Sequence, residues 1–122
     1  MSPSVIIVDD QPILADALAE RLAAEGYETA VASCAGEALE AIGKRSYDLA
    51  FLDLRLPDMS GAVLASEFKK RCPRAGVVLM SGFLTSIHDP EVRLAQIDAV
   101  LPKPWKSGEL ESVLKALWRR NP

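Results

Sequence analysis

Four short runs of uninterrupted apolar residues constrain this chain more than any other feature. Val5-Ile6-Ile7-Val8, Leu49-Ala50-Phe51-Leu52, Val77-Val78-Leu79-Met80 and Ala99-Val100-Leu101 lack the polar alternation of a strand with one wet face. Strands of that kind are covered on both sides, as in a parallel sheet sandwiched between helices. A fifth segment, Tyr27 to Ala32, is weaker and partly polar, which suits a strand at a sheet edge. Helical stripes lie between the runs. Leu14, Leu18 and Leu22 repeat every four residues with Ala17 beside them, and Leu110, Val113, Leu114, Leu117 and Trp118 form a second one-faced stripe. Ser60 and Ser107 stand where they can cap helices, and Gly26 where it can end the first one. Five strands alternating with five helices imply an α/β doubly wound (βα)5 sandwich with right-handed crossovers.

At 122 residues the chain reads as one domain, 1–122, large enough to bury a core on each face of the sheet. A net charge of −3 with dispersed basic residues argues against a nucleic-acid-binding surface. Lys69-Lys70-Arg71 and Arg119-Arg120 read as solvated helix faces. Cys34 and Cys72 stand alone in segments that read as helical. They lack the spacing of a zinc site or a disulfide framework, and this suits a reducing cytosol. No apolar run approaches the ~18 residues of a membrane span, and the start "MSPSVIIVDD" lacks the pattern of a secretory leader. The expected setting is cytoplasmic, with no membrane partner.

In a doubly wound sheet, ligands bind beyond the carboxyl ends of the strands. There the first strand ends in Asp9-Asp10, the third in Asp53, the fourth in Ser81-Gly82 and the fifth in Lys103-Pro104. Taken singly these residues are ordinary. Asp10 would cap a helix opening at Gln11-Pro12, Lys103 would be a surface lysine and Ser81 a turn serine. Taken together they carry complementary chemistry. Three carboxylates at ~4 Å repel one another by several kcal/mol per pair at an effective dielectric near 20, so they call for a cation. Oxygen donors without His or Cys favour a hard ion, and an open site with few carboxylates suits Mg²⁺. The ion, an ammonium and a hydroxyl can together neutralise a phosphoryl group in transfer. Asp53, at the centre of the sheet, is the carboxylate placed to accept it as an acyl phosphate.

These motifs resemble the receiver domain of two-component response regulators along nearly the whole chain. The matching stretches are "IIVDDQP" with Asp9 and Asp10, "YDLAFLDLRLPDMSG" with Asp53, Pro57 and Gly61, "VVLMSG" with Ser81, and "LPKPW" with Lys103. The resemblance implies a flavodoxin-like fold with strand order 2-1-3-4-5. It implies that Asp53 takes a phosphoryl group from a histidine kinase or a histidine phosphotransfer protein, and that a downstream protein partner reads the result. Asp10, Asp53 and the Arg55 carbonyl would bind Mg²⁺, with Asp9 acting mostly through water. Ser81 would hydrogen-bond the phosphoryl group and Lys103 would pair with it. The Lys103–Pro104 bond would be cis. Such a protein assists its own phosphoryl transfer and hydrolysis without being a conventional turnover enzyme.

The chain departs from that pattern in two places. Val100 stands where the family usually has an aromatic residue, so there is no ring to swing inward and output needs another route. Asp89-Pro90-Glu91 reads as a fresh helix start, which predicts a long, mobile loop from Gly82 to His88 and a short fourth helix from Pro90 to Gln96. His88, the one histidine, reads as a loop residue. Arg55 and Phe83, each two residues past a site residue, are expected to flank the path of attacking water and slow hydrolysis. Rival readings fare worse. An aspartate-nucleophile phosphatase of the haloacid dehalogenase type needs D-x-D, which Asp53-Leu54-Arg55 lacks, and no glycine-rich nucleotide loop follows any strand. The remaining alternatives are matters of context: a receiver-fold scaffold, a phosphate shuttle, or the receiver domain of a hybrid histidine kinase.

Overall fold

A computed structural model of the chain describes residues 2–82, 90–94 and 96–120. Its sheet has five parallel strands: β1 (Ser4–Val8), β2 (Glu28–Ala32), β3 (Leu49–Asp53), β4 (Gly76–Ser81) and β5 (Ala99–Pro102), in the order β2-β1-β3-β4-β5. The three strands with other strands on both sides, β1, β3 and β4, are buried along their whole length. Edge strand β2 is mostly exposed, as its mixed composition predicts.

Among the described residues five helices connect and follow the strands: α1 (Pro12–Ala24), α2 (Ala35–Lys44), α3 (Gly61–Arg71), α4 (Pro90–Leu94) and α5 (Ser107–Arg120). The chain reverses direction across the sheet after β2, so α1 and α5 cover one face and α2, α3 and α4 the other. Successive strand residues serve opposite faces. Ile6, Val8, Ala50 and Leu52 pack with Ile42, Leu64, Phe68 and Val92. Val5, Ile7, Leu49 and Phe51 pack with Leu18, Leu22, Leu110, Leu114 and Leu117. This two-sided burial is the physical reason for the uninterrupted apolar runs.

Helix ends show where local chemistry decides. Gly26 follows α1 with φ +100°, and the N–H groups of Gly26 and Tyr27 donate to the carbonyls of Ala23 and Leu22. This left-handed closure is one that glycine adopts without strain. Ser60 caps α3, its Oγ accepting from Ala62 N–H at 3.1 Å. Ser107 is not a cap: α5 already begins there, and the Lys106 carbonyl accepts from Glu109 and Leu110 N–H. Glu109 reaches back to the Lys106 N–H at 3.0 Å, so the cap position falls one residue earlier than the serine suggests.

Other expectations also shift. Ala17 is exposed and Ala15 joins Leu18 and Leu22 in the core, a change in the phase of the α1 stripe. Cys34 and Cys72 flank helices α2 and α3 as their end residues rather than lying inside them. Helix α4 is described over Pro90–Leu94, and Gln96, the expected last residue, takes φ +58°, a left-handed conformation outside a right-handed helix. Phe83, His88, Asp89 and the stretch 83–88 of the expected loop lie outside the described residues.

Candidate functional site

The carboxyl ends of β1, β3, β4 and β5 open into a cleft of about 540 Å³ lined by Asp10, Asp53, Arg55, Ser81, Lys103 and Pro104, among others. Parallel register does this without any long-range design, since strands running the same way deliver their last residues to one edge. Asp53 closes β3 opposite Met80, and Ser81 closes β4 opposite Pro102. Lys103 follows directly, its backbone N–H donating to the Ser81 carbonyl at 2.8 Å. The Lys103–Pro104 peptide is cis.

The charges are packed closely and largely buried. Asp9 is 1% exposed, Asp53 9% and Ser81 4%. The Lys103 ammonium donates to Asp9 Oδ2 at 2.6 Å and lies 3.4 Å from Asp53 Oδ2. Asp9 Oδ1 accepts from the Gln11 N–H at 3.0 Å, so both its oxygens are engaged while Asp10 remains exposed. Burial pushes the Asp53 carboxyl above the ordinary aspartate value. The Lys103 charge opposes that rise and the Asp9 charge adds to it.

One carboxylate oxygen from each of Asp9, Asp10 and Asp53 falls within 4.8 Å of the other two. That all-oxygen set fits a hard divalent cation, and its three carboxylates outnumber the Lys103 ammonium that lies against Asp9 and Asp53. Arg55 follows on the loop between β3 and α3, where its N–H approaches Asp53 Oδ1 at 3.4 Å.

Gly61 holds this loop against the strand. Its N–H donates to the Leu54 carbonyl at 2.8 Å, and a Cβ there would lie 2.1 Å from the Asp53 carbonyl oxygen. Backbone cannot yield as a side-chain tip can. Gly61→Ala is therefore expected to cost about 2 kcal/mol of stability by overpacking, read as a lower urea midpoint at unchanged slope.

Some site residues do not announce themselves in sequence. Gln11 and Leu14 line the cleft because α1 starts at its rim. Asp58, at the far end of the same loop, accepts from Ala35 N–H and Gly36 N–H at 2.9 Å each, and those bonds hold its carboxyl below the usual range. The one local clue is Cys34, a poor capping residue at the start of α2.

The family model described as "Response regulator receiver domain" matches residues 5–115. The chain belongs to this family. As a receiver of two-component signalling it is 35% identical over 121 residues to the transcriptional regulatory protein PmrA of Pectobacterium parmentieri, covering 96% of this chain and 53% of that protein. The receiver thus spans about half the length of the curated relatives it matches. Its fold superposes on a CheY-like receiver domain protein from Methanospirillum hungatei JF-1 with a TM-score of 0.89 at 30% identity, covering 98% of this chain and 97% of the other. It is also similar to the response regulator TrrA of Thermotoga maritima, whose structure is a complex with Mg(2+)-BeF (TM-score 0.85, 31% identity, 94% and 98% covered). No described helix is long and apolar enough to cross a membrane.

Proposed function

We propose that Asp53 accepts a phosphoryl group from the phosphohistidine of a histidine kinase or histidine phosphotransfer protein, and that the resulting change alters binding of a downstream protein in the cytoplasm. The whole chain, 1–122, acts as one receiver domain. The observation that carries this reading is the position of Asp53. It ends a central strand, faces an open cleft, and has one ammonium and two further carboxylates around it.

Chemically, an Asp53 oxygen forms the new P–O bond as the P–N bond to the donor imidazole breaks, and the bonding pair leaves on the ring nitrogen. Lys103 stabilises negative charge on the phosphoryl oxygens, and the Ser81 hydroxyl donates to one of them. Asp10, Asp53 and the Arg55 carbonyl would hold Mg²⁺, with Asp9 acting through water. When bound, Mg²⁺ offsets the clustered carboxylates and the phosphoryl charge. Support comes from the donor set and from TrrA, a similar protein complexed with Mg(2+)-BeF. The protein assists its own phosphorylation and hydrolysis and is not a turnover enzyme acting on a separate substrate.

The test is intact mass after incubation with acetyl phosphate, with and without Mg²⁺, for wild type and Asp53→Asn. A gain of one phosphoryl group is expected in wild type with Mg²⁺, and none in the variant. A gain in both proteins would move the acceptor elsewhere.

A further inference from the structure

We propose that Asp58 is a positioning residue. It fastens the β3–α3 loop to the start of α2, so that cation binding at Asp53 and Arg55 and ordering of α2 reinforce each other. The proposal rests on the reading of Asp53 and Arg55 as cation ligands.

The loop behaves mechanically as one piece. An antiparallel bridge joins Arg55 to Ser60, and Gly61 N–H donates to the Leu54 carbonyl at 2.8 Å. Together these close the four residues Leu56-Pro57-Asp58-Met59 into a tip, and Leu56 and Met59 pack into the core beneath α2 and α3. A displacement at the tip is therefore carried to Arg55, at the base, rather than absorbed between them.

Asp58 grips α2 from that tip. The first N–H groups of a helix have no partner within the helix, and the residue before the helix normally supplies one from its side chain. Cys34 occupies that position and makes no capping bond. Asp58 supplies both oxygens instead, one to Ala35 N–H and one to Gly36 N–H, each at 2.9 Å. These are charge-assisted bonds to the positive end of a helix dipole. Beside them Glu37 accepts from the Ser33 N–H and hydroxyl at 2.6 and 2.7 Å, fixing the chain that leads into the helix.

The same loop position thus serves two grips: a cation at its base and the α2 amides at its tip. Two contacts that select one conformation favour each other, and by thermodynamic linkage the coupling is reciprocal. Occupation of the cleft tightens the start of α2, which makes α2 a route by which the site's state reaches the surface.

The experiment titrates Mg²⁺ against Trp105 fluorescence in the full chain for wild type, Asp58→Ala, and the double variant Asp58→Ala with Cys34→Ser. Thermal stability and amide exchange at Ala35 and Gly36 are followed alongside. Asp58→Ala is expected to weaken Mg²⁺ binding about five-fold and to abolish the Mg²⁺-induced protection of those amides. Cys34→Ser gives α2 a cap of its own, so the double variant recovers thermal stability but not Mg²⁺ affinity. Wild-type affinity in Asp58→Ala would overturn the proposal, as would recovery of affinity together with stability in the double variant, because Asp58 would then be a helix cap and nothing more. A wild type that binds no Mg²⁺ overturns the cation reading of the site and this coupling with it, a result distinct from the other two.

Discussion

Lys103→Met is expected to lower the stability of the metal-free protein by about 3 kcal/mol at pH 7, and added Mg²⁺ is expected to return much of that loss, with lower pH returning the part that comes from Asp53. The ammonium is the counter-charge for two carboxylates that have little access to water. Side-chain exposure is 0% for Asp9, 12% for Asp53 and 14% for Lys103, so solvent screening does little for this cluster. Removing one partner from a buried ion pair leaves the other desolvated and uncompensated, which is where costs of this size arise. The pH dependence has a definite sign. Burial already holds the Asp53 carboxyl above its ordinary value of 3.8, and loss of Lys103 removes the charge that restrains the rise. Between 3.8 and the raised folded-state value, Asp53 holds its proton more in the native protein than in the unfolded chain. Stability from this group is therefore greatest at the acid end of that window and falls as pH rises through the folded value. Glu37 and Asp58 titrate the other way. Their carboxyls are held low by hydrogen bonds, so their contribution is present above the ordinary values of 4.5 and 3.8 and fades below them. Urea unfolding at pH 7 and pH 5, with and without MgCl₂, distinguishes the cases. A loss that is the same in all four conditions would mean that Lys103 acts through packing rather than charge.

The site is legible in sequence for a topological reason. Once the apolar runs are read as parallel strands, Asp9, Asp10, Asp53, Ser81 and Lys103 must share an edge whatever their side chains do. Their meeting follows from strand direction alone. Burial is legible for the same reason, since an uninterrupted run leaves no face for water. The residues that escape notice bond to amides on elements distant in the chain. Asp58 meets Gly36 across 22 positions, and Asp98 meets Val77 across 21. Nothing in the neighbourhood of either aspartate says which amide it will find. Helix details fail differently. Ala15 and Ala17 are chemically identical, and only the packing of α1 against the sheet decides which is buried. The cap of α5 falls on Lys106, one residue before the serine, with Glu109 bonding the Lys106 N–H from inside the helix. Gln96, two residues past the described end of the fourth helix, takes a left-handed backbone conformation that its side chain does not foretell. On β5, Val100 pairs with Leu79 of β4 and is only partly buried.

Asp98→Ala is expected to cost about 3 kcal/mol, although Asp98 lies at the opposite end of the sheet from the cleft. Its Oδ2 accepts from Lys69 Nζ at 2.8 Å and from the Val77 N–H at 2.7 Å, and its own N–H donates to the Val77 carbonyl at 2.8 Å. The contact joins the C-terminal turn of α3 to the beginning of β4 and the approach to β5. Lys69 also donates to the Ala75 carbonyl at 2.7 Å, so one ammonium and one carboxylate tie three segments together. Their side chains are 17% and 10% exposed. Truncation leaves a buried backbone donor without its acceptor and a lysine without its counter-charge, and each of these is costly where water cannot enter. Asp98→Asn retains an acceptor for Val77 while losing the charge, so it should fall between wild type and alanine. The control is Glu40→Ala, which breaks a helix-surface pair with Lys44 in which both side chains are more than two-thirds exposed, at 72% and 75%. Such pairs contribute little in water. If urea midpoints for Asp98→Ala and Glu40→Ala shift by the same small amount, the buried pair does not anchor the β4 and β5 ends of the sheet. A large shift for Asp98→Ala with an unchanged slope would establish that it does, because the slope reports the surface exposed on unfolding and the midpoint reports the lost contact.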